Sequence, residues 1–146
     1  MKIAKIIAPT DLSKLSRAAL RYAMDMAVAE GAEVVVYHVI SEDSDWFDKD
    51  DMLNPANALL PKQRQRLAEF VKENCAEFFG KVKIAEIVEV GVPYKEIVHK
   101  AEEEKADLII MSTHGRTGLE QVMVGSVTAK VVARATCPVL SIRPHK

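Results

Sequence analysis

Apolar residues alternate along this chain between two kinds of pattern. Nearly continuous apolar runs lie from Ile3 to Ala8, from Val34 to Val39 and from Leu108 to Met111. Runs of that length suit parallel strands covered on both faces. Between them the apolar positions recur with the helical period. A first helix is predicted from Leu15, Ala18, Ala19, Tyr22, Ala23, Met26 and Ala27, with Ser13 as its N-cap and Gly31 as its stop. A second carries Leu60, Leu67, Phe70, Val71, Cys75 and Phe78 on one face and ends near Gly80. A third opens at Pro93 and turns Ile97, Val98 and Ala101 inward, and a last one runs from Val127 to Ala135. The segment from Val82 to Val90 mixes Lys83, Glu86 and Glu89 with β-branched residues, which predicts a strand at a sheet edge. Pro138 to Ile142 forms the final strand. Strands alternating with helices in this way predict an α/β three-layer sandwich built on a parallel sheet.

Ser41 to Asn57 fits neither pattern. It holds Glu42, Asp43, Asp45, Asp48, Asp50 and Asp51 against Lys49, without the glycine of a calcium loop. It reads as a solvated connection, or as a lid over a ligand carrying Trp46. The 146 residues fit one domain, 49% hydrophobic and 28% charged. A net charge of −1 supplies no basic excess for nucleic-acid phosphates. No apolar run approaches the roughly 20 residues that span a bilayer. The amino terminus lacks a secretory pattern, and Cys75 and Cys137 have no metal or redox spacing. Together these features predict a cytoplasmic protein whose cysteines are reduced and pack as small apolar residues.

The chemistry concentrates between Ser112 and Ser126. Gly115 is followed by nine residues and then by Gly125-Ser126, between a predicted strand and a predicted helix. A glycine-bearing loop there is where α/β proteins hold phosphate, since glycine allows close approach and the helix start offers free N–H groups. Ser126 fits the N-cap. The pattern resembles the phosphate loop of the universal stress protein family: Gly, two residues, Gly, nine residues, Gly, then Ser, Thr or Asn. Ser112 stands where that pattern has its first glycine. Three further landmarks extend the resemblance over the whole chain: Ala8-Pro9-Thr10-Asp11, His38-Val39 and Cys137-Pro138-Val139-Leu140.

The resemblance implies a five-stranded parallel sheet of order 3-2-1-4-5, of the adenine nucleotide alpha hydrolase-like kind. In that order the ligand crevice lies between the first and fourth strands, bringing the loop after Ala8 to the loop after Met111. It implies ATP, with Mg²⁺ held mainly through the phosphates, and adenine against Val39. Pro9, Thr10 and Asp11 face the phosphate loop, with Asp11 near ribose and phosphates or acting as a cap of the first helix. Met111, Ser112, Thr113, His114, Gly115 and Arg116, then Gly125, Ser126, Val127 and Thr128, surround the phosphates. The family also implies a homodimer joined through Pro138 to Ile142.

Other phosphate chemistries do not fit. There is no Gly-Lys-Ser/Thr of a P-loop, no Rossmann fingerprint after the first strand and no adenylyl-transfer loop near the amino terminus. No residue set to orient water for hydrolysis is recognisable; His114 reads as loop packing and His38 carries no signal by itself. The expected function is an ATP-binding regulatory module of the stress response, with at most slow hydrolysis. The rivals are a slow ATPase or phosphotransfer enzyme using His114 or Asp11, and a nucleotide-free chaperone-like dimer.

Overall fold

The computed structural model describes residues 1–42, 55–114 and 124–144. In chain order these form β1 (Lys5–Pro9), a 3-10 turn (Lys14–Ser16), α1 (Arg17–Glu30), β2 (Glu33–Ser41), α2 (Pro55–Cys75), a second 3-10 turn (Ala76–Phe78), β3 (Ile84–Gly91), α3 (Pro93–Glu103), β4 (Leu108–Ser112), α4 (Ser126–Arg134) and β5 (Val139–Ile142). The strands make one parallel sheet in the order β3-β2-β1-β4-β5. The expected architecture and strand order are present.

Alternation along the strands separates two cores. Ile6, Ala8, Val34, Val36, Leu108 and Ile110 meet α1 and α2, together with Leu20, Met24, Leu67 and Val71. Ile7, Val35, Tyr37, Ile109 and Met111 meet Ile97 and Ala101 of α3 and Val131 of α4 on the other face. Burial on both faces is why these strands read as continuous apolar runs. Tyr37 is 1% exposed with Lys100 of α3 5.7 Å above its ring; its hydroxyl has no hydrogen-bond partner among the described residues. Burial, then the charge of Glu89, pushes that hydroxyl's pKa well above the usual phenol value. Both cysteines are free, and burial raises the Cys75 thiol to about 11.

The amino-terminal ends of the strands are tied by charge. Glu33 accepts Lys5 at 2.8 Å and Lys83 at 3.3 Å, and Asp107 Oδ2 accepts the amides of Ala4 and Lys5. Gly31 ends α1 in the left-handed region at φ 70°, as expected for the C-cap. Pro93 opens α3. Two helix starts differ from expectation. Ser13 precedes the 3-10 turn and makes no side-chain cap bond, while its N–H donates to Asp11 Oδ1 at 3.0 Å. Ser126 is the first residue of α4, and its N-cap is Gly125 in extended conformation.

Candidate functional site

The strand order reverses direction at β1, from which the chain steps outward to β2 and β3 on one side and to β4 and β5 on the other. Connections leaving the carboxyl ends of β1 and β4 therefore diverge to opposite faces and leave a crevice between them. A cavity of about 330 Å³ opens there. That volume lies at the lower end of small-ligand clefts.

The β1 side of the crevice is rigid. Thr10 N donates to Tyr37 O at 2.9 Å, and His38 Nδ1 lies 2.9 Å from Thr10 O. A carbonyl only accepts, so Nδ1 of His38 carries the hydrogen. Ser16 Oγ donates to Ser13 O, so the 2.7 Å contact between the Thr10 and Ser16 hydroxyls runs from Thr10 to Ser16. Thr10 Oγ1 in turn accepts Leu12 N at 3.0 Å. These bonds, with the Asp11–Ser13 turn, hold Leu12 at φ 66°, a left-handed conformation costly for a residue with a Cβ. The side chain of Asp11 thereby both shapes the loop and lines the cleft.

The β4 side is closed by a main-chain and hydroxyl network. Thr113 N donates to Ile142 O and Thr113 O accepts Gly125 N at 2.7 Å. Buried Thr128 donates its hydroxyl to Ser112 O at 2.7 Å. Ser112 Oγ accepts His114 N at 3.3 Å, and His114 Nδ1 lies 2.9 Å from Thr113 Oγ1. With Gly125 as N-cap, no side-chain cap bond is made at the start of α4 among the described residues. A serine N-cap would have competed for the first N–H groups of the helix. Ser126, Val127 and Thr128 of the first turn of α4, at the positive end of its dipole, line the cleft, an arrangement that favours an anion.

The end of β2 contributes its main chain. Val34 N donates to Lys83 O and Glu42 N to Gly91 O, so even-numbered residues of β2 turn their amides toward β3. Odd-numbered residues turn theirs toward β1, as Tyr37 O does in accepting Thr10 N. β1 ends at Pro9, opposite Tyr37. The N–H and C=O of Val39 therefore face the crevice instead of a strand, a donor beside an acceptor.

Of the residues singled out from the sequence, Pro9, Thr10, Asp11, Val39, Met111, Ser112, His114, Gly125, Ser126, Val127 and Thr128 line the cavity together. Thr113 stands behind that wall, its N–H and C=O bonded to Ile142 and Gly125. Gly115, Arg116 and Trp46 lie outside the described residues. Sequence reasoning missed Ser16, Tyr37, His38, Ile40, Ser41, Gln63, Pro93 and Ile97, which also line the cavity. For Gln63 a signal existed. It interrupts the apolar stripe of α2 between Leu60 and Leu67, where a polar residue calls for a reason. Among the described residues no group of three or more His, Cys, Asp or Glu side chains could hold a metal ion, and no helix is long and apolar enough to cross a membrane.

The model of the universal stress protein family matches residues 2–143. Universal stress protein MJ0531 of Methanocaldococcus jannaschii is 37% identical over 150 residues, covering 97% of this chain and 83% of that protein. Universal stress protein MJ0577 of the same organism is 32% identical, covering 95% of this chain and 94% of that protein. A solved structure of MJ0577 superimposes with a TM-score of 0.84 over 100% of this chain and 99% of that one. A universal stress protein solved in complex with cAMP superimposes with a TM-score of 0.66 at 25% identity, covering 99% of this chain and 100% of the other.

Proposed function

The chain belongs to the universal stress protein family, and on that premise we propose that its cleft binds ATP and that the protein acts as a nucleotide-dependent regulatory module. The observation that carries this reading is a single crevice with complementary ends. At one end the α4 amides of Ser126, Val127 and Thr128 offer donors to phosphate. At the other, the Val39 main chain offers a donor and an acceptor to a base edge. The apolar walls of Pro9, Met111 and Val39 suit the flat faces of a base and ribose. The relative solved with cAMP, an adenine nucleotide, supports the same ligand class.

Asp11 is the carboxylate that lines the cleft among the described residues, and one of its oxygens already serves the Ser13 amide. Mg²⁺ is therefore held mainly by the phosphates. His38 and His114 each engage Nδ1 with a neighbour, Thr10 O and Thr113 Oγ1, and turnover is at most slow in this reading. A homodimer forms by pairing of β5, whose parity supports it: Pro138 O and Ile142 O face β4, leaving the amides of Val139 and Ser141 outward. Mass spectrometry of ligand released from freshly purified protein, followed by titration with Mg-ATP, tests the proposal. Absence of bound nucleotide together with no binding at millimolar Mg-ATP would sink it.

A further inference from the structure

Gln63 stands apart from the other polar groups of the cleft. It lies on α2 one helical turn before Leu67, is 5% exposed, and lines the same cavity as Ile40 and Ser41 of β2. A buried primary amide carries two donor hydrogens and an acceptor oxygen, and leaving them unpaired costs free energy. Its polar neighbours are engaged: Thr10 and Ser16 with each other, and His38 with Thr10 O. No hydrogen bond of the Gln63 amide is seen among the described residues, and, unlike the sealed Tyr37 hydroxyl, the amide is open to the cavity. An amide that a buried side chain holds at the wall of a cleft is available to a ligand.

We propose that Gln63 completes the base end of the cleft by reading the 6-amino group and N7 of adenine. The proposal rests on the nucleotide reading above. With phosphate at the start of α4, the base is placed against the end of β2, and α2, which carries Gln63 to the cavity wall, packs in the same core cluster as Ile40 of that strand. The Val39 main chain takes one edge of adenine, N1 and one hydrogen of the 6-amino group. The second amino hydrogen and N7 then remain, a donor beside an acceptor. A glutamine amide matches that pair, its NH₂ donating to N7 and its carbonyl accepting from the amino group. Guanine offers two acceptors on the same edge, so the amide carbonyl would face a carbonyl. Gln63 therefore selects adenine over guanine.

Equilibrium dialysis of the full chain and of Gln63→Met, each with ATP and with 7-deaza-ATP, tests this. In 7-deaza-ATP a C–H replaces N7 and the rest of the nucleotide is unchanged. The full chain is expected to bind ATP about five- to tenfold more tightly than 7-deaza-ATP, the worth of one hydrogen bond in a desolvated site. Gln63→Met is expected to bind the two equally, at the weaker affinity. Methionine keeps the length of glutamine on an apolar helix face, and Gln63→Leu provides a second variant with the same expectation should Met disturb packing. A preference for ATP that persists in the variants overturns the proposal, as does a full chain that binds both nucleotides equally. If the full chain binds neither, the nucleotide reading itself falls and the role of Gln63 falls with it.

Discussion

Thr128 shows how closely this cleft depends on single atoms. Its hydroxyl donates to Ser112 O at 2.7 Å inside the protein, tying the start of α4 to the end of β4. Thr128→Val keeps the shape, removes the donor and leaves a buried carbonyl unpaired. A loss of about 1–3 kcal/mol follows, to be read as a lower urea midpoint with unchanged slope. Gly125 acts differently. Its conformation, φ −60° and ψ 156°, is open to any residue, so the need for glycine lies in the absence of a side chain beside the α4 amides. Gly125→Val is expected to leave a folded protein that no longer gains stability from Mg-ATP, and normal binding by that variant would show the phosphate end to be misplaced. From sequence the glycine spacing was visible, but the cap position was not. Ser126 has the better N-cap propensity, and only the backbone trace, with Gly125 N bonded to Thr113 O, shifts the cap by one residue.

Each strand and helix was legible because its apolar pattern is dictated by burial. The differences lie at ends, where competition is local. A 3-10 turn over Lys14–Ser16 comes between Ser13 and α1, and Asp11 accepts the Ser13 amide ahead of it. β2 runs to Ser41, past the apolar stretch, because β3 continues to pair with it up to Gly91. At the opposite end of the sheet, Glu33 is held below the usual carboxylate range by its hydrogen bond with Lys5, and by Lys83. The sign follows from linkage: a depressed folded-state pKa gives stability that is complete above the unfolded value near 4.3 and lost as pH falls through the folded value. Glu33→Gln should therefore flatten the acid limb of a stability–pH profile, an outcome checked by urea midpoints between about pH 5 and 2. β5 makes its own prediction. Ser141 turns its amide away from β4, so Ser141→Pro leaves the β4 ladder intact and blocks strand pairing outside. Sedimentation is expected to show a dimer for the parent chain and a monomer for the variant; a variant that remains dimeric places the interface elsewhere.

Across the whole molecule, ligand binding and folding are coupled, because the cleft is assembled from β1, the first 3-10 turn, β2, α2, α3, β4 and α4. No part of it exists in the unfolded chain. Mg-ATP at about 100 times its dissociation constant should add about 2.7 kcal/mol, a rise of roughly 5–10 °C in Tm for a chain of this size. A scan without any shift would contradict binding. That so many separate segments converge also explains why Gln63, Ser16 and Ile97 escaped a reading that follows the chain: their role arises from proximity in space. The Val39 main chain carries a different consequence, for how such a protein tolerates genetic change. Its recognition groups are present whatever side chain stands at position 39, so replacements there can accumulate without touching the base edge. A single inserted or deleted residue between Val34 and Val39 is another matter. It shifts every following residue of β2 by one position, so that side chains packed on one face of the sheet are moved to the other. The position is thus lenient toward substitution and intolerant of length change, and a library built on β2 should divide along that line.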